Sequence, residues 1–186
     1  MDSHDAVQRL RSAALRLATE QPLDELTVAA ICEEAGFSRE EFFRHASHPV
    51  RLVAEALGDD LLADLEVAGE TLEGPALHQA RARLAIEHVT RWVTVYRGPL
   101  GHELLSLMHR TVAPAIRLMA EERVRENPEL LPPGVSADDD EAIAFFSAYM
   151  AGGSIAAIES LAQGDGDIER GVTLLLAATP AFLAGT

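Results

Sequence analysis

The sequence predicts an all-α protein. Three observations carry this reading. Apolar residues recur at offsets of three and four along most of the 186-residue chain, strand-like alternation is scarce, and helix-start and helix-stop residues fall between the apolar runs. With 48% hydrophobic residues, the chain can bury a core without disulfides or metals.

Taken in order, about nine helices are expected. The first spans about Ser3 to Glu20, with Val7, Leu10, Ala14 and Leu17 on one face, and Pro22 ends the run. Thr27 is placed as an N-cap for a short helix over Val28 to Ala35, and Gly36 as its left-handed stop. Ser38 caps a third helix reaching His45, and Glu41 completes an S-x-x-E capping box. Ser47 is expected to cap a fourth helix, with Pro49 in its first turn, running to about Gly69. Residues 70–76 read as a loop, and a fifth helix covers about Leu77 to Tyr96. RGPLG at 97–101 breaks it, and shorter helices follow over His102–Arg110 and Pro114–Glu126. Residues 127–137, with three prolines and a glycine, form a linker. A long helix then runs from about Asp138 to Gln163, GDGD at 164–167 turns the chain, and a last helix spans about Ile168 to Leu183.

Composition narrows the classes. All 15 basic residues are arginine, and 30 acids bring the net charge to −15. Such a chain is repelled at long range by nucleic acid and acidic membranes. The charge is unevenly spread, however. Residues 1–51 hold six arginines against nine acids, a net −3, and the remainder carries −12. Exposed charges beyond about 8 Å are largely screened at physiological salt. The single cysteine, Cys32, excludes an internal disulfide and any Cys-rich zinc site. The charged N-terminus is unlike a signal peptide. The uncharged runs Ala142–Ile158 and Gly171–Thr186, 17 and 16 residues, fall short of the roughly 20 of a spanning helix. They read as buried helices of a bundle, and the location as cytoplasmic.

Residues 27–45, TVAAICEEAGFSREEFFRH, form the most informative stretch. It is a helix, a turn through Gly36 and a second helix, with the small Cys32 at the close approach and Ile31, Ala35, Phe37 and Phe42 behind it. This fits a helix-turn-helix whose second helix enters the major groove, and equally an ordinary αα-hairpin of a bundle.

Residues 13–52, AALRLATEQPLDELTVAAICEEAGFSREEFFRHASHPVRL, resemble the N-terminal domain of the TetR (tetracycline-repressor) family of transcriptional regulators. The family pattern L-T-V-x-x-I-A-x-x-A-G-V-S-x-x-T-F-Y-x-H-F-x-S-K-x-x-L is met at Leu26, Thr27, Val28, Ile31, Ala35, Gly36, Ser38, Phe42, His45 and Leu52, and, with the serine and the residue after it shifted one position early, at Ser47. The resemblance implies that Arg39, Phe43, Arg44 and Glu40 face the groove, with Thr27, Ser38, His45 and His48 near phosphates. The departures fall on that surface: Phe43 replaces the family's tyrosine, His48 its lysine, Glu41 its threonine and Ala46 its second aromatic, and Glu40 stands where the family has a small or polar residue. Glu40 and Glu41 repel phosphates, although an acid there can accept from cytosine N4, and the capping box accounts for Glu41 without DNA. Weaker or more salt-sensitive operator binding than that of a lysine-bearing relative is expected.

The domains are then a helix-turn-helix head over 1–47 and a helical body over 48–186. Ile143, Phe146, Met150, Gly153, Ala157 and Leu161 form one apolar stripe of the eighth helix, and Val172, Leu175, Leu176, Thr179 and Leu183 one of the ninth. A two-fold dimer built on these two helices would bury both stripes and suit palindromic half-sites; a monomer covering them with its own helices is the alternative. His88, Trp92, Tyr96, His102, Met108 and His109, with Phe145 and Tyr149, are the residues for an effector pocket, and core packing is the competing explanation for each. In the family a small effector binds the body, tilts the fourth helix and spreads the heads. The acidic body favours a cationic or neutral effector, a preference that a buried arginine such as Arg91 would reverse.

No catalytic residue, metal site or cofactor is expected. His102–Glu103 lacks the spacing of a zinc protease, there is no phosphate-binding glycine loop, and GDGD lacks a calcium loop's terminal acid. The expectation is a ligand-responsive, homodimeric DNA-binding regulator acting as a repressor. The alternative is a helical ligand-binding or interaction module with weak or lost DNA binding.

Overall fold

The computed structural model describes residues 3–128, 131–132, 134–136, 138–162 and 167–178. Nine helices and no strands are found among them, as expected for an all-α chain. They divide into two compact units, the first holding the chain up to Asp60 together with Trp92–His109, the second Leu61–Arg91 together with the chain from Arg110 onward.

In the first unit, α1 (Ser3–Glu20) buries Ala6, Leu10, Ala13, Ala14 and Ala18, a stripe turned slightly from the expected one, with Val7 and Leu17 at its margin. After the turn at Pro22, the Thr27 hydroxyl accepts from the Ala30 N–H at 3.2 Å and opens α2 (Val28–Ala35). Gly36 ends α2 in the left-handed region, φ 72°, which suits a residue without a β-carbon. α3 (Arg39–His45) starts at the full capping box. Ser38 Oγ accepts from the Glu41 N–H at 3.2 Å, and the Ser38 N–H donates to Glu41 Oε2 at 2.8 Å. Arg9 reaches over the hairpin turn, donating to the Ala35 carbonyl and lying over the Phe37 ring. Leu10, Ile31 and Phe42 are wholly buried between these three helices. Burial of each such side chain contributes about 1.5–3 kcal/mol, which offsets the ordering of so short a helix as α3.

α4 (Pro49–Thr71) begins one residue later than the expected cap. The Leu52 N–H donates to the His48 carbonyl, and His48 Nδ1 accepts from the Val50 N–H at 3.3 Å. His48 is therefore the N-cap in place of Ser47, and Pro49 takes the first helical position, where no N–H is needed. Arg11 ties α1 to α4 through Glu55 and Asp59.

Three further expectations are corrected. The loop at 70–76 shrinks to Leu72 and Glu73, because α5 (Gly74–Arg91) already starts at Gly74 with Pro75 in its first turn. The helix expected to continue to Tyr96 breaks at Trp92 (φ −105°, ψ 16°) and resumes as the short α6 (Val93–Tyr96), which packs on α1. The two helices expected over 102–126 are one, α7 (Gly101–Glu126), continuous through Pro114. An internal proline costs about 3 kcal/mol. Leu104, Leu105, Met108, Val112, Ala120 and Val124 are buried along α7, and together they outweigh it.

The second unit is a helical stack. Leu61 and Leu65 of α4 pack with Ala85 and Val112. Ala82 and Ile86 of α5 pack with Val172 and Leu175 of α9 (Ile168–Ala178), where a β-carbon in place of the Gly171 hydrogen would stand 3.1 Å from the Ile86 side chain. Val124 packs with Leu131 and with Ile143 of α8 (Asp140–Ala162). Asp139 and Asp167 cap α8 and α9, accepting from the Ala142 and Arg170 N–H groups. α8 buries Ile143, Ser147, Ala151 and Ile155 at four-residue spacing, so the expected stripe through Phe146, Met150 and Gly153 lies to one side of the inward face. Residues 164–166 of the GDGD turn, Gln163, the Leu176 side chain, Thr179 and Leu183 lie outside the described residues.

Candidate nucleic-acid interface

Four side chains that the sequence assigns to the groove stand on one exposed face of α3. Arg39 and Phe43 share one row at four-residue spacing, and Glu40 and Arg44 the next. Phe43 is 61% exposed, yet its ring is steadied edge-on by the wholly buried Phe42, with ring centres 5.3 Å apart at 87°. Glu40 Oε1 accepts from Arg44 Nη2 at 2.9 Å, an ion pair with side chains 82% and 60% exposed.

Glu41 is arranged differently from its neighbour. Both its roles are internal, and the Ser38 backbone N–H and hydroxyl hold its carboxyl below the usual range. Of the two acids at the start of α3, only Glu40 is left facing outward.

The remaining candidates flank this face. Thr27 and Ser38 are exposed caps of α2 and α3, beside the unpaired N–H groups of each first turn. His45 is half-buried in the last turn of α3, and His48 is exposed at the start of α4. His48 Nδ1 is taken up by the bond from the Val50 N–H, which leaves Nε2 as the ring nitrogen open to a partner. Phe43, Arg44, Ser47, Arg51 and Glu55 line a cleft of about 420 Å³ between α3 and α4. Arg51, bonded to Glu55 at 2.8 Å, is a cation of this surface that the motif did not single out. Its signal was its position one turn into the fourth helix.

The residues expected around an effector are divided between the two units. In the first unit, Trp92 donates from Nε1 to Asp60 Oδ2 at 3.3 Å, and the buried Tyr96 donates to Met108 Sδ at 3.2 Å. Burial, reinforced by Asp60, pushes the Tyr96 phenol far above its ordinary range. Asp60 therefore belongs with this group, and no motif marks it, since it lies 32 residues from Trp92. His102 and His109 are exposed on α7. In the second unit His88 is buried, whereas Phe145 and Tyr149 are exposed on α8. No cluster of metal-ligating side chains occurs among the described residues.

The model of bacterial regulatory proteins of the tetR family matches residues 10–48. A search of curated proteins finds no match. Among solved structures, a protein from Pseudomonas aeruginosa PAO1 assigned as a transcriptional regulator is similar in fold, with a TM-score of 0.62 and 16% identity over 100% of this chain and 93% of that one. The capped hairpin with its outward α3 face thus lies within the stretch, residues 10–48, that is similar to the tetR-family regulators, and the chain as a whole shares an all-helical fold with the solved structure.

Proposed function

We propose that the protein is a cytoplasmic, homodimeric repressor that binds a palindromic operator and leaves it when a small molecule binds the body. The observation that carries this reading is the outer face of α3, where Arg39, Phe43 and Arg44 stand exposed on a helix whose start is rigidly capped. Specific DNA contact needs such side chains on a pre-organised helix.

Dimerisation is supported by α8 and α9. Phe145 and Tyr149 are 68% and 60% exposed on α8, beside the exposed Ala144, Ala148, Gly153 and Ala156, and Leu174 is exposed on α9. α8 is also long and apolar enough, by length and composition alone, to cross a membrane. We read its open face as the interface with a second copy, which would bury it. The division into a head over 1–47 and a body over 48–186 is retained as the functional one.

The test is a gel-shift against the DNA upstream of the protein's own gene at several salt concentrations. A specific band whose affinity falls steeply with salt supports the reading. Purified protein that shows no sequence preference at any salt concentration overturns it, in favour of a helical interaction module.

A further inference from the structure

We propose that Glu40 and Arg44 act as one reading unit for a single G·C pair in each operator half-site. The inference rests on the DNA-binding reading above and deepens it by naming the base pair.

The geometry begins with the 2.9 Å bond between Arg44 Nη2 and Glu40 Oε1. It is the i,i+4 arrangement with the acid on the N-terminal side, the favoured orientation on a helix. An unpaired acid on this face would repel phosphates. Paired, the two side chains add no net charge to the face and hold each other's heads in place. The bond engages one oxygen of Glu40 and one nitrogen of Arg44, which leaves Oε2 and the other guanidinium N–H groups available to a partner outside the protein.

The polar groups that remain form an ordered set: two donors from the guanidinium, then one acceptor from the carboxylate. In the major groove a G·C pair presents the complementary order, with acceptors at guanine N7 and O6 and then the donor at cytosine N4. An A·T pair presents N7, then the N6–H₂ donor, then O4. The middle group would then set donor against donor, and the last acceptor against acceptor. The joined pair therefore accepts G·C and rejects A·T, whereas an isolated arginine specifies only the guanine edge. Glu41 cannot share the task because its carboxylate is bound to Ser38.

The experiment selects bound duplexes from a random-sequence pool with the full-length protein, then measures G·C against A·T competition at each conserved position. Wild type, Glu40→Ala, Arg44→Ala and the double variant are compared, with circular dichroism confirming their fold. The expected wild-type result is a palindrome with one strongly preferred G·C pair per half-site. Each single variant should lose roughly five- to 150-fold discrimination at that same pair, the scale of one bidentate base contact. The double variant should lose little more than either single one, as expected of residues acting as a unit. Losses at different positions, independent losses that multiply, or a Glu40→Ala protein that binds all DNA more tightly with unchanged preferences would each overturn the inference and leave the regulator reading intact. A wild-type protein that enriches no sequence would overturn both.

Discussion

Arg9 Nη2 donates to the backbone carbonyl of Ala35 at 2.6 Å, which fastens the first helix to the last residue of the second. The same guanidinium lies 5.0 Å from the centre of the Phe37 ring. One side chain thus closes the hairpin from both sides of Gly36. Arg9→Ala is expected to destabilise the protein by about 2 kcal/mol, combining a charged hydrogen bond with a cation–π contact. Arg9→Lys should recover part of this, because an ammonium keeps the charge but not the planar fork. Denaturant midpoints of the two variants check the ranking.

Gly101 is more constrained than Gly36. A β-carbon at 101 would stand 1.9 Å from the Tyr96 carbonyl oxygen, whereas at 36 the nearest atom is the end of the Arg9 side chain at 3.3 Å. Gly36→Ala meets a left-handed backbone that costs roughly 1–2 kcal/mol. Gly101→Ala has to move backbone and should cost more than that. Equal melting temperatures for the two variants would contradict the ordering.

His78 gives the stability a pH dependence of predictable sign. Burial, with Arg123 and Arg81 nearby, lowers its pKa from 6.5 to about 4, so the folded protein keeps the ring neutral. Between those values the unfolded chain binds the proton and the folded one does not, so stability falls as pH drops from about 6.5 to 4. In His78→Gln this segment of the profile should flatten by up to one proton. Urea titrations at closely spaced pH values measure that difference directly.

Removal of the Ser38 hydroxyl tests the rigidity of the recognition helix. Ser38→Ala is expected to cost about 1 kcal/mol in stability, the usual scale of an N-cap. Its effect on operator affinity should be lost equally across operator sequences, since the cap orients α3 without choosing a base. A position-specific change in the selected sequences would argue against that role.

The exposed face of α8 makes a quaternary prediction. Phe145→Asp combined with Tyr149→Asp should yield a monomer with unchanged helix content, because both rings are already open to solvent in the single chain. Sedimentation velocity distinguishes the states, and a doubly substituted protein that still sediments as a dimer would place the interface elsewhere.

The head is readable from sequence because its instructions are local. Thr27, Gly36, Ser38 and Glu41 each act within three or four residues, and each stands in its expected role. The cap of α4 escaped because an imidazole nitrogen at His48 substitutes for the nearby serine hydroxyl. Pro114 misled because a local penalty was outweighed by burial along the whole of α7. The break at Trp92 accompanies a bond to Asp60, 32 residues away, which no local pattern encodes. On the candidate interface, the family resemblance placed Phe43 and Arg44 outward. The different fates of Glu40 and Glu41 emerged only with side-chain geometry, one turned into the cap and the other paired across a helical turn.

Cys32 sits 5% exposed at the crossing of the two hairpin helices, and burial pushes its thiol above the ordinary range. It is the chain's sole thiol. A thiol-specific reagent can therefore label the protein only while the hairpin is open, and the labelling rate becomes a clock for the breathing of that one element. Operator DNA should slow this clock, which would give a footprint of the bound head without any engineered probe.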